Sequence, residues 1–414
     1  MQKIRRLYGN FYKVPFLSPY WDGGEHGWIR HAVSKDKIVD GKELQEVEST
    51  LKKLLGVKYI RLFNYGRSAI DFAIHTYGIQ GKEIIVPTLI CKGVINPIVF
   101  SGNKPVFVDS NSDMNIDTSK MKQVVGKNTA GIVASHLTSK ISNMDEINEF
   151  AEDYGLKVID DSAQVLGNKY KKKCAGNLAE MGILSFGFGK VLMSTHGGAI
   201  TTNNNELGET IENAELPKEN KSEILSRIPK FYNAYILRRY TRPFYVIKDA
   251  ITHPPIDSLM GHDYVVSDMS NIDAGLVKIQ LEKLDEVLAL RRRNALLMNE
   301  LLDNVKIIST PNPKGRIFSK YILTFKIPNH TPNTRNKLLI NLKRYLEINR
   351  IETEWPYMPI HTRTGCESFR RGDLSNAESL WGRMITLPVH PNMSEEDVVY
   401  VGGKVIDFFR RFTK

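Results

Sequence analysis

Lys190 is a lysine in a stretch of small and apolar residues. It lies in the segment FGFGKVLMSTHGG, residues 186–198, directly after the apolar run GILSF. Removal from water lowers the pKa of a lysine, and the neutral amine can attack a carbonyl carbon. A loop lysine that points into water is the alternative, since most lysines are solvated. The string GFGK is not a nucleotide-binding P-loop, because the glycine spacing and the following Ser or Thr are missing.

Two carboxylates, Asp160 and Asp161, end the apolar run LKVID. Successive side chains of a strand point to opposite faces, so one of the two can enter a site at the strand end while the other caps the next turn. Asp161 is the candidate for holding a cationic ring nitrogen or a metal, and an ordinary helix N-cap is the alternative. No cluster of His, Asp and Glu near it supports a metal site.

A third candidate is the segment NYGRSAIDFAI, residues 64–74. Gly66, Arg67 and Ser68 follow an apolar run and open a helical pattern. Backbone N–H groups, a hydroxyl group and a helix N-terminus together suit a phosphate group. A plain capped turn is the alternative at this point.

Short apolar runs alternate with helical patterns from Gly56 to about Thr202. This alternation predicts βαβ units and a mostly parallel sheet, hence an α/β fold. Ligands of such sheets bind beyond the C-terminal ends of the strands. The apolar runs are YIRLF, EIIVP, PVFVD, TAGIVAS, LKVID, GILSF and GAITT.

The chain divides into a predicted large domain, residues 1–262, and a smaller C-terminal α/β domain, residues 263–414. Residues 205–262 are charged at first and then rich in Arg, Tyr and Pro, and we call them the basic aromatic segment. They are expected to form an insertion or a domain junction.

Apolar spacing also predicts helices outside the sheet. One covers residues 43–55 with Gly56 as its stop, and the clearest covers residues 273–302. Residues 1–40, rich in aromatics, Gly and Pro, are expected to form an irregular arm.

The phosphate turn, the strand-end carboxylate and the lysine on a glycine-rich loop follow one another along the chain. These are the parts needed to hold pyridoxal phosphate. The phosphate would lie at the helix end, the pyridine nitrogen at the carboxylate and the aldehyde at the lysine.

Longer stretches carry a resemblance to a known family. In chain order they are IVDGKELQEVESTLKKLLGVKYIRLFNYGRSAI, EIIVPTLICKGVINPIVFSGNKPVFVDSN, VIDDSAQVLG, ILSFGFGKVLMSTHGGAITTN, IDAGLVKIQLEKLDEVLALRR and LPVHPNMSEEDVVYV. They resemble the DegT/StrS-type sugar aminotransferases, a family of fold-type I pyridoxal-phosphate enzymes, over most of residues 36–410. The basic aromatic segment is the chief gap. The resemblance implies the fold-type I aminotransferase fold, with a large sheet domain that binds the cofactor and a smaller C-terminal domain.

The resemblance also implies roles for single residues. Lys190 matches the lysine that attaches the cofactor covalently, and it is then the general base and acid of the reaction. Asp161 matches the carboxylate that pairs with the pyridinium nitrogen, and Gln164 matches the glutamine beside the cofactor ring.

The phosphate-binding residues carry over in the same way. Gly66 and Ser68 match the phosphate turn, and Ser185 matches the serine before the lysine loop that binds the phosphate. Arg67 stands in place of the usual Thr, which adds charge to the phosphate site.

Other positions depart from the family pattern. Cys91 falls where many members stack an aromatic residue on the cofactor ring, and it covers the ring less fully. Val266 falls where members often place an Asn that reaches the partner subunit's phosphate. His196 stands where Glu is common before the double glycine.

The resemblance implies a transaminase. Its usual amino donor is glutamate, and its acceptor is a nucleotide-diphosphate ketosugar for surface glycans or antibiotics. Some relatives carry His in place of the lysine and dehydrate their substrate, so Lys190 favours transamination. Members are usually homodimers with the cofactor sites at the interface.

Three aromatic residues lie where relatives approach substrate, although packing explains them equally well: Trp355, Tyr357 and His361.

The main alternative is a non-catalytic regulator that keeps the cofactor or sugar pocket. The departures at Arg67, Cys91 and Val266 motivate it. The retained Lys190 and Asp161 argue against it.

The composition is that of a globular protein of 414 residues with a net charge of +11. Three separated cysteines indicate no disulfide framework and no zinc site. The basic N-terminus lacks a signal-peptide core, and no stretch is long and apolar enough to span a bilayer. A cytoplasmic location is therefore expected, and nucleic-acid binding is not, because no recognition-helix pattern is present.

The positive charge is concentrated in the basic aromatic segment. Between Lys221 and Lys248 it has seven basic residues and one acid, interleaved with Tyr and Phe. One interpretation is peripheral contact of residues 221–250 with anionic lipid head groups. A lid or a subunit interface is the alternative, since long insertions often serve such roles.

Overall fold

The fold is described by a computed structural model. It describes residues 12–137, 140–236, 264–312, 318–327, 331, 334–363 and 365–412.

Helices and strands alternate along most of the chain. The helices are α1 Gly23–Ser34, α2 Glu43–Leu55, α3 Gly66–Thr76, α4 Lys92–Phe100, α5 Met144–Tyr154, α6 Asn205–Glu212, α7 Lys221–Phe231, α8 Asn271–Glu282, α9 Leu284–Leu302, α10 Lys337–Ile348, α11 Ser375–Gly382 and α12 Glu395–Phe412. The strands are β1 Tyr59–Phe63, β2 Glu83–Pro87, β3 Lys104–Val108, β4 Thr129–Ser135, β5 Lys157–Asp161, β6 Lys169–Tyr170, β7 Lys173–Cys174, β8 Met181–Ser185, β9 Gly198–Thr202, β10 Ile308–Ser309, β11 Tyr321–Phe325 and β12 Met384–Leu387.

A seven-stranded sheet in the order β1-β9-β8-β5-β4-β2-β3 forms the centre of the molecule. The neighbours from β8 to β3 pair in parallel, whereas β9 runs antiparallel to both β8 and β1. The apolar runs of the sequence form these strands, because a strand covered on both faces is apolar along its length. The predicted α/β fold with a mostly parallel sheet is confirmed.

Helices cover both faces of this sheet. Side chains of α3, α4 and α6 pack on one face, and those of α2, α5 and α8 pack on the other. Strand residues alternate between the two cores, as Ile84 and Val86 contact one and Ile85 the other. Two buried helical layers of this kind fix the strand ends, where the predicted site residues lie.

The predicted helices are confirmed in part. Helix α2 has the predicted bounds, and Gly56 ends it with a left-handed φ of 68°. The prediction of one helix over residues 273–302 is wrong, because the chain breaks at Lys283 between α8 and α9. The Lys283 ammonium group is turned toward α1, where it lies 2.8 Å from Glu25 Oε1.

The arm predicted over residues 1–40 is not irregular throughout, since it contains α1. Asp22 and Glu25 form a capping box at the start of this helix, with Asp22 Oδ1 accepting a hydrogen bond of 2.7 Å from the Gly24 amide. Such a box satisfies the free N–H groups of a first turn. It starts a helix here in spite of three glycines in its first turns.

A second sheet, β10-β11-β12, is antiparallel and has a core of its own. The C-terminal half of α9 packs there through Ala295, Met298 and Leu302, whereas α8 and Leu284 pack in the core of the large sheet. The division at residues 262 and 263 stays a prediction, and these contacts favour a boundary farther along the chain, inside α9.

No helix within the described residues is long and apolar enough to cross a membrane. Groups of three or more His, Cys, Asp and Glu that could hold a metal ion are absent from the same part of the chain. Of the basic aromatic segment, residues 237–262 lie outside the described residues, and so do residues 237–250 of the stretch 221–250 considered for lipid contact.

Candidate active site

A cavity of about 450 Å³ opens at the C-terminal ends of β5 and β8. It brings together residues that are up to about 170 positions apart in the sequence. The predicted residues that line it are Gly66, Arg67, Cys91, Asp161, Gln164, Ser185 and Lys190. Ser68 does not line it but lies on the same helical turn as Gly66, fully buried.

The first turn of α3 forms one end of the cavity. A Cβ atom on Gly66 would lie 3.0 Å from Ser185 Cβ, so glycine lets the turn lie directly against the end of β8. The Ser68 hydroxyl is buried and has no hydrogen-bond partner among the described residues. Free N–H groups of a helix start, two serines and a guanidinium group are donors suited to a phosphate.

Arg67 is held over this turn by aromatic rings. Its guanidinium carbon lies 4.3 Å from the ring centroid of Tyr65 and 4.9 Å from that of Tyr264. Stacking on two rings restrains the side chain, because the planar cation is attracted to both ring faces. The charge that Arg67 brings in place of Thr is therefore fixed at the phosphate end.

The carboxylates at the end of β5 point to opposite sides, as strand geometry predicts. Asp161 lines the cavity; its Oδ2 accepts a hydrogen bond of 2.6 Å from Ser135 Oγ, and its Oδ1 accepts one of 3.2 Å from the Ala163 amide. Both partners are donors, so they stabilise the ionised carboxylate. This is the charge that a protonated ring nitrogen requires.

Asp160 is fully buried on the other side of the strand. It accepts hydrogen bonds from the amides of Gly176 and Leu178, at 2.9 and 3.0 Å, and from the Ser162 hydroxyl, and His136 Nε2 lies 2.9 Å away. A carboxylate with its acceptor sites filled in this way ties loops together. The function of Asp160 is structural.

Lys190 lies on the loop between β8 and β9 and is half-buried in the cavity wall. Burial lowers the pKa of its amine, the nearby Cys91 and Asp161 oppose this shift, and the positive charge of Lys320 adds to it. No described residue makes a hydrogen bond or an ion pair with Nζ. The amine is therefore both partly desolvated and available for a covalent bond.

The sequence did not decide whether Tyr357 belongs to the site. Its hydroxyl accepts a hydrogen bond of 3.2 Å from Gln164 Nε2. Burial first, and then the nearby Cys91, Glu354 and Asp161, raise the pKa of this hydroxyl well above its ordinary value. Tyr357 stays protonated and joins the C-terminal part of the chain to the ring-side residues.

The other two aromatic residues have structural surroundings. Trp355 packs at the edge of the C-terminal core with Arg335 4.1 Å from its ring centroid. His361 is buried and lies 2.9 Å from Glu378 Oε1, with Thr88 at its other ring nitrogen. Packing, the alternative given above, accounts for both.

The described part of the basic aromatic segment forms one wall of the same cavity. Helix α7 continues as a π-helical turn, Tyr232–Ile236. Phe231 stacks on Trp21 at 4.9 Å, and Tyr235 stacks at 4.0 Å on Phe188 of the lysine loop. The residues that this segment contributes are Arg227, Lys230, Phe231, Ala234 and Tyr235. Composition alone did not indicate this, because the contacts are made with residues far away in the chain.

The remaining departures have defined surroundings. Val266 is partly buried against the core of the large sheet, so its side chain faces the chain's own interior. His196 lines the cavity, and burial, followed by the charge of Arg227, lowers its pKa to about 3. His196 is therefore neutral at physiological pH.

The residues present fit pyridoxal phosphate. The buried Ser68 hydroxyl, which has no partner among the described residues, and the contact of Gly66 with Ser185 suit the phosphate. The Asp161 carboxylate suits the ring nitrogen, and the desolvated amine of Lys190 lies in the wall between. The individual roles of these residues stay predictions.

The chain is similar to known proteins over most of its length. The sequence profile of the DegT/DnrJ/EryC1/StrS aminotransferase family matches residues 22–406. The GDP-perosamine synthase of Escherichia coli O157:H7 is 26% identical over 400 residues, which cover 96% of this chain and 98% of that protein.

Solved structures show the same fold at lower identity. PseC of Helicobacter pylori, an aminotransferase involved in the biosynthesis of pseudaminic acid, has a TM-score of 0.76 at 20% identity and covers 96% of this chain and 100% of its own. The E. coli GDP-4-keto-6-deoxy-D-mannose-3-dehydratase with bound hydrated PLP has a TM-score of 0.76 at 19% identity, over 95% of this chain and 100% of its own. With a family profile matched over nearly its whole length and a site suited to pyridoxal phosphate, this chain belongs to the DegT/DnrJ/EryC1/StrS family of pyridoxal-phosphate-dependent aminotransferases.

Proposed function

We propose that this enzyme transfers an amino group from glutamate to a nucleotide-diphosphate ketosugar, for the biosynthesis of a surface glycan or an antibiotic sugar. The observation that carries the proposal is the single cavity that holds Lys190, Asp161 and the phosphate-binding turn. The sugar-nucleotide part is supported by the relative named GDP-perosamine synthase, which is similar over nearly its whole length.

The amine of Lys190 has two tasks. It holds the cofactor covalently, and once a donor displaces it, Nζ is a free base in the same wall of the cavity. Its lowered pKa keeps a larger neutral fraction at physiological pH, which a proton acceptor needs. With the cofactor bound, Nζ would be the group placed to accept the proton from the carbon that carries the amino group and to give it back at the end of the transfer.

Asp161 and the phosphate-binding residues act on charge and position. When bound, pyridoxal phosphate supplies an electron sink that stabilises the carbanion formed on loss of that proton. Asp161 keeps a proton on the ring nitrogen, and Ser135 fixes the orientation of its carboxylate. Gly66 and Ser185 would hold the phosphate and so restrain the position of the cofactor relative to Nζ.

Two other activities are compatible with the fold. Structural relatives include a dehydratase, and the sequence resemblance associates dehydration with a His at the lysine position, whereas this chain has Lys190. A cofactor-binding regulator needs neither a desolvated amine nor an ionised carboxylate in one cavity. Amino transfer is the activity that uses both groups.

We expect glutamate to convert the enzyme-bound pyridoxal form to the pyridoxamine form. The measurement is the loss of the absorbance band of the lysine-bound cofactor during a single half-reaction, without any sugar. Aspartate and alanine serve as matched donors for comparison. A protein that binds the cofactor and leaves the band unchanged with every donor would be a regulator.

The acceptor follows from the second half-reaction. The pyridoxamine form, freed of glutamate, is mixed with GDP- and UDP-linked ketosugars, and the return of the original band identifies the substrate. Return with a free ketosugar and not with its nucleotide form would contradict the nucleotide-sugar part of the proposal and leave the aminotransferase part intact.

We also propose that the described part of the basic aromatic segment is a lid rather than a lipid-binding surface. Ile224 and Phe231 of α7 are buried against the protein, and Arg227 is paired inward. The positive charges that remain on this helix, Lys221 and Lys230, are exposed, and so is the acid Glu223.

We expect the double variant Lys221→Gln/Lys230→Gln to co-sediment with anionic vesicles to the same extent as the unaltered protein. Neutral phosphatidylcholine vesicles are the control for non-electrostatic binding. Loss of anionic-vesicle binding in the variant alone would assign this helix to the membrane surface instead.

We also propose that the enzyme is a homodimer, and this proposal rests on the family resemblance alone.

A further inference from the structure

The lid carries a buried ion-pair cluster. Arg227 Nη2 lies 3.0 Å from Glu219 Oε2 and 2.9 Å from Asp273 Oδ2, and Nη1 pairs with the other oxygen of Glu219. The side chains are 12%, 8% and 1% exposed, respectively. Two carboxylates thus neutralise Arg227, so this guanidinium is suited to hold elements in place and not to receive an anionic ligand.

Asp273 connects this cluster to the lysine loop. Its second oxygen, Oδ1, accepts hydrogen bonds of 2.9 Å from the Thr195 amide, 2.6 Å from Thr195 Oγ1 and 3.3 Å from the His196 amide. One carboxylate therefore joins α7, α8 and the loop that precedes β9. A change in the position of Asp273 must move that loop, because three of its donors share the same oxygen.

The loop in turn touches the phosphate-binding turn. The His196 ring lies 4.2 Å from the Tyr65 ring, with His196 Nε2 3.2 Å from the Tyr65 hydroxyl, and Tyr65 is the N-cap residue of α3. Gly197 forms a backbone bridge with Tyr65. A Cβ atom on Gly198 would lie 2.4 Å from the Gly66 amide nitrogen, so the two backbones are in direct contact.

We propose that Arg227 is a positioning residue for the cofactor site: through Asp273 it fixes the loop of Thr195–Gly198, and this loop fixes the turn of Gly66–Ser68 that holds the phosphate. The lid is then part of the cofactor-binding structure as well as a cover. The proposal rests on cofactor dependence and does not depend on which sugar is the substrate.

The charges around His196 agree with this arrangement. His196 faces Arg227 on α7, Asp273 on α8, and Arg67 and Tyr65 at the start of α3. After burial, the charge of Arg227 contributes most to the low pKa of His196, and Asp273 opposes it. Removal of Arg227 leaves Asp273 uncompensated, so the pKa of His196 rises.

The test is cofactor affinity, measured by absorbance titration of the cofactor-free protein without donor or sugar. We expect Arg227→Met to weaken the binding of pyridoxal phosphate roughly tenfold, the size of a moderate coupling between sites. Lys221→Met is the matched control, because Lys221 lies on the same helix in a surface ion pair with Asp36, and its affinity should be unchanged. Unchanged affinity in Arg227→Met would overturn the proposal.

A double-mutant cycle separates positioning from a general loss of stability. If Arg227 acts through Asp273, Arg227→Met/Asp273→Asn should bind the cofactor no more weakly than the worse single variant. Additive losses would contradict this path.

The pKa of the His196 ring gives a second test, measured by NMR of labelled histidine. The ring should titrate at higher pH in Arg227→Met than in the unaltered protein. An unchanged titration would count against the proposal.

Thr195→Val keeps the proposal testable if Arg227→Met does not fold. It removes the hydrogen bond of Thr195 Oγ1 to Asp273 and leaves the ion-pair cluster intact. We expect the same direction of change, a several-fold weaker cofactor affinity with melting temperature nearly unchanged. Unaltered affinity would overturn the proposal and would leave the proposed sugar amino transfer unaffected.

Discussion

Lys190→Ala should lose amino transfer by at least about 10³-fold, because both the covalent attachment and the proton transfer depend on one amine. Borohydride reduction followed by peptide mass analysis should find the cofactor on Lys190 in the unaltered protein and on no peptide of the variant. The two readouts are independent, since reduction needs no turnover.

Lys320→Met is the matched control for the first prediction. Lys320 is the other lysine whose charge reaches the Lys190 amine, and it lowers the pKa of that amine. Its removal should leave the reducible cofactor on Lys190. If Lys190→Ala retained the same covalently reducible cofactor, the assignment of Lys190 would be wrong.

Much of the central sheet could be predicted from the sequence, since its strands are apolar over their whole length. The runs YIRLF, EIIVP, TAGIVAS and GAITT have the bounds of β1, β2, β4 and β9. The direction of β9 could not be predicted, because an apolar run does not indicate which strands it pairs with. The antiparallel course of β9 is set by pairing with β1 and β8, which is a tertiary contact.

The candidate site was predictable where its parts are local in sequence. A helix start, a strand end and a glycine-rich loop each have a short signature, and the α/β fold brings strand ends together. Tyr357 and Arg227 have no such signature. They reach the cavity through pairing with Gln164 and Asp273, and no spacing in the chain indicates these partners.

The break at Lys283 shows the same limit inside a helix. Residues 273–302 have helical periodicity throughout, yet the Lys283 ammonium group pairs with Asp22 and Glu25 of a distant helix start. The partners of Lys283 are the two capping-box residues of α1. This box lies in a glycine-rich stretch for which the sequence predicts an irregular arm. The Asp22 side chain at that helix start is exposed and the Glu25 side chain is buried, and both carboxylates pair with the Lys283 ammonium group.

Asp161→Asn should lower amino transfer by about 10²- to 10³-fold, the effect of removing one preorganised charge from a site. Asn is neutral and cannot keep the ring nitrogen protonated, so the stabilisation of the carbanion is lost. The fold should be intact, because the side-chain oxygen of Asn can still accept from Ser135 or Ala163. Single-turnover rates with glutamate give the measurement, and melting temperature gives the check on folding.

Asp160→Asn is the matched control and should behave in the opposite way. Asp160 is the sequence neighbour of Asp161 but accepts from Gly176, Leu178 and Ser162 inside the core. The oxygen of Asn can keep both backbone amides, which share Oδ2, but its NH2 group then replaces Oδ1 opposite the Ser162 hydroxyl and His136 Nε2, so we expect a loss of about 3 kcal/mol in the free energy of unfolding. Urea unfolding measures it, and the fraction that folds should transaminate at nearly the unaltered rate. If instead Asp160→Asn impaired the half-reaction and Asp161→Asn impaired only stability, the two carboxylates would have been assigned to the wrong faces of β5.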